Sequence, residues 1–303
     1  MTEEEFRSLH QRLRARLTWG PDDRRGALNH LTPAETRAAC DEVRLGLAVS
    51  LAAPIEGRVT ADNPEPAQHR MTGPSAAAAG RGLAFGMDRL ALNIHGNADS
   101  HMDALCHAIF DGGLYNGVPA DTITDGGATE LSIALAADGI VGRGVLLDVP
   151  RSRGVPWLEP GDSVTVDDLL AAERDQGVSA GRGDILLVRV GHQQRRSARG
   201  PWNAAAARAG LHPGVVPMLA ERQIAVLGSD GNSDTAPSVT DGVDFPVHVL
   251  AINALGLMML DYLQLGDLVP ACERAGRWSF LCLIAPLRLP TGTGSPVNPI
   301  AVL

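Results

Sequence analysis

Asn93-Ile-His-Gly-Asn-Ala-Asp-Ser-His-Met-Asp-Ala-Leu-Cys-His107 is the stretch on which the reading of this chain turns. Side chains of an extended strand alternate between two faces. Read that way, Asn93, His95, Asn97, Asp99, His101 and Asp103 share one face, and Ile94, Gly96, Ala98, Ser100 and Met102 share the other. A half-buried strand usually shows Lys, Thr, Glu or Ser on its polar face. Here that face carries residues that bind metals and move protons. His101 and Asp103, two apart, point the same way and can grip one ion, and His107 follows four residues after Asp103. Imidazole and carboxylate without thiolate suit Zn²⁺, Mn²⁺ or Fe²⁺. Two ligands do not make a stable site, so others must come from elsewhere. His248 is the best candidate, near the start of a helix predicted over 246–262 and followed by an apolar run that ends at Asp261.

Composition narrows the classes of function. The chain has 303 residues, 45% hydrophobic and 20% charged, a balance that suits a soluble globular protein with a large core. A net charge of −9 argues against nucleic acid, whose binding proteins carry a basic face. No run reaches the ~20 apolar residues of a membrane span, and the acidic start Met1-Thr-Glu-Glu-Glu-Phe6 does not resemble a signal peptide. Cys40, Cys106, Cys272 and Cys282 lack the paired spacing of a zinc ribbon or a redox motif. They read as free, buried thiols, and cytoplasm is the expected compartment.

Outward from the polar stretch, helices are predicted over 2–18, capped by Thr2, and from Thr32-Pro-Ala-Glu35, a capping box with Pro in its first turn. Residues 47–53 suit a strand. Residues 58–82 lack periodicity and read as a long loop, a candidate lid. Val145–Val149, Ile185–Val190 and Ile224–Leu227 are short apolar runs of the kind found in strands buried on both faces. Helices are predicted between them over 165–175 and 213–222, and Phe280–Ala285 makes a final strand. The expectation is one compact mixed α/β domain spanning 1–303.

These residues support a resemblance. Ser100-His-x-Asp-Ala-x-x-His107 resembles the signature of the metal-dependent cyclase-type hydrolases, the family of bacterial kynurenine formamidase and isatin hydrolase. Trp19-Gly-Pro-Asp-Asp, Gly26-Ala-Leu-Asn29, Gly144–Pro150, Gly183–Arg189, Gly228-Ser-Asp-Gly231, His248 and Leu260-Asp261 extend the likeness over most of the chain. It implies the swivelling β/β/α cyclase-like fold, a homo-oligomer (dimer or tetramer) and a small-molecule substrate. It also implies a divalent ion, Zn or Mn, on His101, Asp103, His248 and Asp261, with His107 as general base. Members commonly hold the metal with a further histidine where this chain has Asn97. An amide oxygen is a weak ligand. His95, two residues earlier on the same predicted face, and Asp99 are the alternatives; failing these, the site is altered or metal-free.

Two activities follow as expectations. One is metal-dependent hydrolysis of an amide, lactam or related cyclic acyl bond. The other is a metal-independent cyclase, dehydratase or isomerase using His101, Asp103 and His107 as acid–base groups. Tyr115, close to His107 in sequence, is a candidate substrate contact. Cys106 reads as a core thiol, and Asp230 and Asp234 lie in a loop where site and turn roles are equally open.

Overall fold

Four apolar strands placed side by side and parallel form the centre of the protein, as expected of runs buried on both faces. The computed structural model describes residues 1–16, 19–75 and 82–303. Among these, nine strands form one mixed sheet: β1 (Ala48–Ser50), β2 (His101–Asp103), β3 (Ile140–Asp148), β4 (Ile185–Arg189), β5 (Val226–Ser229), β6 (Met258–Asp261), β7 (Ser279–Ile284), β8 (Gly294–Pro296) and β9 (Ile300–Val302). Their order across the sheet is β1-β9-β7-β3-β4-β5-β6-β2-β8. The run β3-β4-β5-β6 is parallel, and the strands flanking it on both sides are antiparallel. Helices lie between the parallel strands, so a mixed α/β fold is observed.

The helix starts follow the local chemistry. Thr2, Thr32 and Thr165 each close a capping box at the head of Glu3–Arg14, Pro33–Cys40 and Val166–Gln176. Glu3–Arg14 ends short of the predicted 2–18 helix; residues 17 and 18 lie outside the described residues. Phe6, Leu9 and Leu13 form its buried stripe.

Four expectations change. The polar stretch is a strand only over β2, because Gly96-Asn-Ala-Asp-Ser100 carries turn-forming residues and bends away. The predicted 246–262 helix covers only 246–254, its second part wound as a π-helix; Gly256 at φ +66° breaks it and the chain continues into β6. The predicted loop over 58–82 contains a strand, Gln68–Met71, which pairs antiparallel with Asp88–Ala91. Residues 76–81 of that loop lie outside the described residues. Of the four cysteines, all free, Cys40 is exposed rather than buried. Burial pushes the Cys106 thiol up to about 11, as befits a core residue rather than a nucleophile.

His192, just after β4, is 4% exposed, and its Nε2 has no hydrogen-bond partner among the described residues. It packs against the rings of Trp202 and Tyr262, at 4.7 and 5.3 Å between centroids. Burial pulls its pKa down from 6.5 to about 4. Below pH 6.5 the unfolded chain takes up a proton that the folded chain refuses, so stability falls as pH drops towards 4. The loss is on the order of 2–3 kcal/mol, at about 1.4 kcal/mol per unit. Denaturant titrations at pH 7 and pH 4.5 are expected to show this loss in the native chain and not in His192→Leu. Parallel pH dependence in the two would contradict it.

Candidate active site

The site forms where β2 and β6 run antiparallel, with Asp261 directly across from His101 and Met259 across from Asp103. Facing residues of neighbouring strands project to the same side, and so do residues two apart on one strand. His101, Asp103 and Asp261 therefore converge, while Met102 between them turns into the core and is fully buried. His248 approaches from the helical turn before β6. Its Nε2 lies 3.3 Å from Asp261 Oδ2 and 3.5 Å from Asp103 Oδ2. His95 and His107 complete the cluster, stacked with ring centroids 3.9 Å apart. Gly294 makes room for this stack: a Cβ there would lie 2.6 Å from His95 Cε1.

Hydrogen bonds fix the tautomers. His101 Nδ1–H donates to the Asp99 carbonyl at 2.9 Å, which turns Nε2 towards Asp103, 3.7 Å away. His248 Nδ1–H donates to Asp234 Oδ2 at 2.5 Å, which turns its Nε2 towards Asp103 and Asp261. The Asp234 carboxylate also accepts the Val247 and His248 backbone N–H groups at 2.6 and 3.0 Å, which suits the electropositive start of a helical turn. Asn232 Nδ2 and Ser233 Oγ donate to the two Asp261 oxygens at 2.7 and 2.8 Å. Metal-binding histidines and carboxylates are commonly oriented by such outer partners.

Charge balance asks for a cation here. Burial alone would raise the Asp103 carboxyl, but His107, His248, His95 and His101 around it hold it well below the ordinary carboxylate range. Against its own burial, His248 is driven well above the ordinary imidazole range by Asp103, Asp234 and Asp261. Asp103 Oδ2 is buried without a hydrogen-bond partner among the described residues. Two triads of ligand atoms, His95/His101/Asp103 and Asp103/His248/Asp261, each lie within 4.8 Å of one another and share Asp103. A carboxylate oxygen without a hydrogen bond, the Nε2 atoms of His101 and His248 and a second carboxylate fit a divalent ion, which His248 would bind by giving up the proton its carboxylate neighbours favour. His95 differs: its Nδ1–H donates to Asp103 Oδ1 at 2.8 Å, and to join as a ligand that nitrogen must first lose its proton.

His107 stands beside this set, with Nε2 3.9 Å from Asp103 Oδ1. Burial pulls its pKa down to about 4, opposed by Asp103 and reinforced by His95 and His248. It is therefore neutral at pH 7 and able to accept a proton. Asn97 turns its amide oxygen to the Tyr262 hydroxyl at 2.9 Å. Asp99 is committed to the Glu56 backbone N–H at 3.0 Å.

Tyr115 does not face the site. It is fully buried, its hydroxyl donates to Asp23 Oδ2 at 2.8 Å, and it is absent from the cavity wall. Closeness to His107 in sequence misled because a turn at Phe110–Gly113 reverses the chain between them. No described residue of 58–82 lines the cavity either, so the expected lid is not seen there. Sequence reasoning missed Arg208 and Phe245, which do line it.

The cavity holds about 600 Å³. It is lined by the His/Asp cluster and by an apolar set, Ile109, Phe110, Val243, Phe245 and Val249. Pockets of this kind combine a few convergent polar groups with an apolar lining. Asp234→Asn replaces a charged anchor of His248 by a neutral one and should weaken metal affinity 10- to 100-fold. Titration with a metal-competing fluorescent chelator measures this; unchanged affinity would show that the anchor does not matter.

A family model described as "Putative cyclase" matches residues 30–234. Among solved structures, one of a novel cyclase is 30% identical, with 97% of this chain and 99% of that chain covered and a TM-score of 0.85. Isatin hydrolase A from Ralstonia solanacearum is 22% identical, with 89% and 97% covered and a TM-score of 0.59. A "predicted metal-dependent hydrolase" from Bacillus stearothermophilus is 18% identical, with 84% and 97% covered and a TM-score of 0.53. The latter two likenesses establish a shared fold. Comparison with curated protein sequences finds no match.

Proposed function

The chain belongs to the cyclase family, and from that premise we propose that it hydrolyses an amide, lactam or related cyclic acyl bond with a divalent ion and His107 as general base. The observation that carries this reading is the convergence of His101, Asp103, His248 and Asp261, with Asp103 Oδ2 left without a hydrogen bond among the described residues. Isatin hydrolases among the structural neighbours lend support, since isatin is a cyclic amide. A bound ion supplies Lewis acidity for carbonyl polarisation and water activation.

The protein's own residues do the rest. His101 and His248 are held with Nε2 towards the ion's place by Asp99 and Asp234. Neutral His107 accepts the proton of the attacking water and returns it to the leaving nitrogen, so water is added across the C–N bond. The His95 ring lies against His107 and fixes its plane. The apolar wall seats the acyl or ring portion of the substrate.

The experiment is a turnover screen of formamides, lactams and lactones, followed by His107→Gln on whichever is cleaved. The variant should keep its metal and lose kcat by ~10²–10⁴-fold, the usual range for a general base. Undiminished kcat with bound metal would remove His107 from this role.

A further inference from the structure

Arg208 is the single Arg or Lys among the described residues lining the cavity. It is 2% exposed, and none of the described carboxylates forms an ion pair with it. Its Nε donates to the Asp234 carbonyl at 2.9 Å, and Nη1 to the Ala204 and Ala205 carbonyls at 3.1 and 3.2 Å. Nη2 carries no hydrogen bond among the described residues, and the guanidinium lies 5.1 Å from the centre of the Phe245 ring. Asp244, exposed, lines the same cavity without pairing with it.

Burying a guanidinium without a counter-charge is costly, and such groups are normally paired. Arg208 is held rigidly by carbonyls that neutralise nothing, with one nitrogen left over. The Asp103 and Asp261 carboxylates face His248 and are the groups that would hold the proposed cation. The missing anion is therefore brought in from outside.

We infer that Arg208 binds an anionic group of the substrate, a carboxylate or comparable oxyanion. That group sits across an apolar or aromatic portion from the bond to be cleaved. The inference deepens the hydrolase reading by naming the substrate class. Phe245 links the two ends: its ring stands edge-on to His248 at 5.8 Å and under Arg208 on its other contact. An aromatic acid laid on the apolar wall would meet Arg208 at one end and the His/Asp cluster at the other.

The test is calorimetric titration of the metal-loaded protein with benzenesulfonate and with methyl phenyl sulfone. The pair share shape, differ in charge and are both poor metal ligands. The anion should bind about tenfold tighter, as expected of a charge-assisted hydrogen bond from Nη2. Arg208→Gln should shrink that preference below twofold while the sulfone's affinity moves less than threefold. Equal affinities in the native protein, or a preference surviving in folded Arg208→Gln, would overturn the assignment. Should Arg208→Gln fail to fold, Arg208→Lys, which lacks the guanidinium that sits on the three carbonyls with Nη2 to spare, must cut the preference at least threefold; an unchanged preference overturns it equally. N-formylanthranilate and formanilide are then compared as substrates. If neither is cleaved while the binding preference stands, the hydrolase reading fails and the anion site remains.

Discussion

Asp103→Asn is expected to leave the fold intact, empty the protein of divalent metal and lower kcat by at least ~10³-fold. The size follows from position: loss of an outer partner alone costs 10- to 100-fold, and Asp103 is the ligand both triads share. It is fully buried, and four imidazoles lie around its two oxygens at 2.8 to 3.9 Å. The amide keeps the volume and removes the charge that this arrangement is built around, so the four histidines are left facing a neutral group. Metal content by elemental analysis, circular dichroism and turnover check the three parts. A stoichiometric ion or near-native kcat in the variant would break the claim that Asp103 is the shared ligand.

Gly26→Ala should cost about 3 kcal/mol, a large share of a domain's stability. Gly26 has φ +58°, and a Cβ there would lie 2.1 Å from the Gly256 carbonyl oxygen. Left-handed backbone costs a non-glycine residue about 1 kcal/mol, and overpacking adds roughly 1–3 kcal/mol, at the upper end when the obstacle is backbone. The Ala27 N–H donates to that same oxygen at 2.8 Å, so the contact cannot open without losing a hydrogen bond. The expected readout is a melting temperature lower by roughly 5–10 °C. Gly20→Ala is the control: φ +86° with nothing within 4 Å of its Cβ, so it bears the backbone cost alone. Equal melting temperatures for the two variants would contradict the packing argument. The site is involved as well, because Gly256 ends the helical segment that carries His248.

Much of the fold was legible because its signals are local. Val145–Val149 and Ile185–Val190 announced buried parallel strands, and the Thr2 cap and the Thr32-Pro-Ala-Glu35 box announced helix starts. Boundaries failed where one glycine or one turn decides them. Gly256 converts a long apolar pattern from helix to strand, and an apolar run such as Gly256–Leu260 reads equally well as either. That changed where Asp261 sits: on a strand directly opposite His101, not at a helix end.

The site was legible in residue types more than in geometry. His101 and Asp103 share a face for the reason given by alternation. His95 reaches the same cluster through a turn, which alternation does not describe. Asp234 was visible only as a loop carboxylate, since its pairing with His248 spans a bend that no periodicity encodes. Arg208 gave no signal at all: it follows Ala204–Ala207, and only the folded loop brings those carbonyls around its guanidinium.

The most direct test of the account is elemental analysis of the purified protein paired with turnover of a cleaved amide or lactam before and after a strong chelator. The expected result is about one divalent ion per chain, loss of at least nine-tenths of the activity on its removal, and recovery on adding Zn²⁺ or Mn²⁺ back. Full activity in chelator with less than a tenth of an equivalent of metal would contradict it, and would leave His101, Asp103 and His107 as acid–base groups acting without an ion.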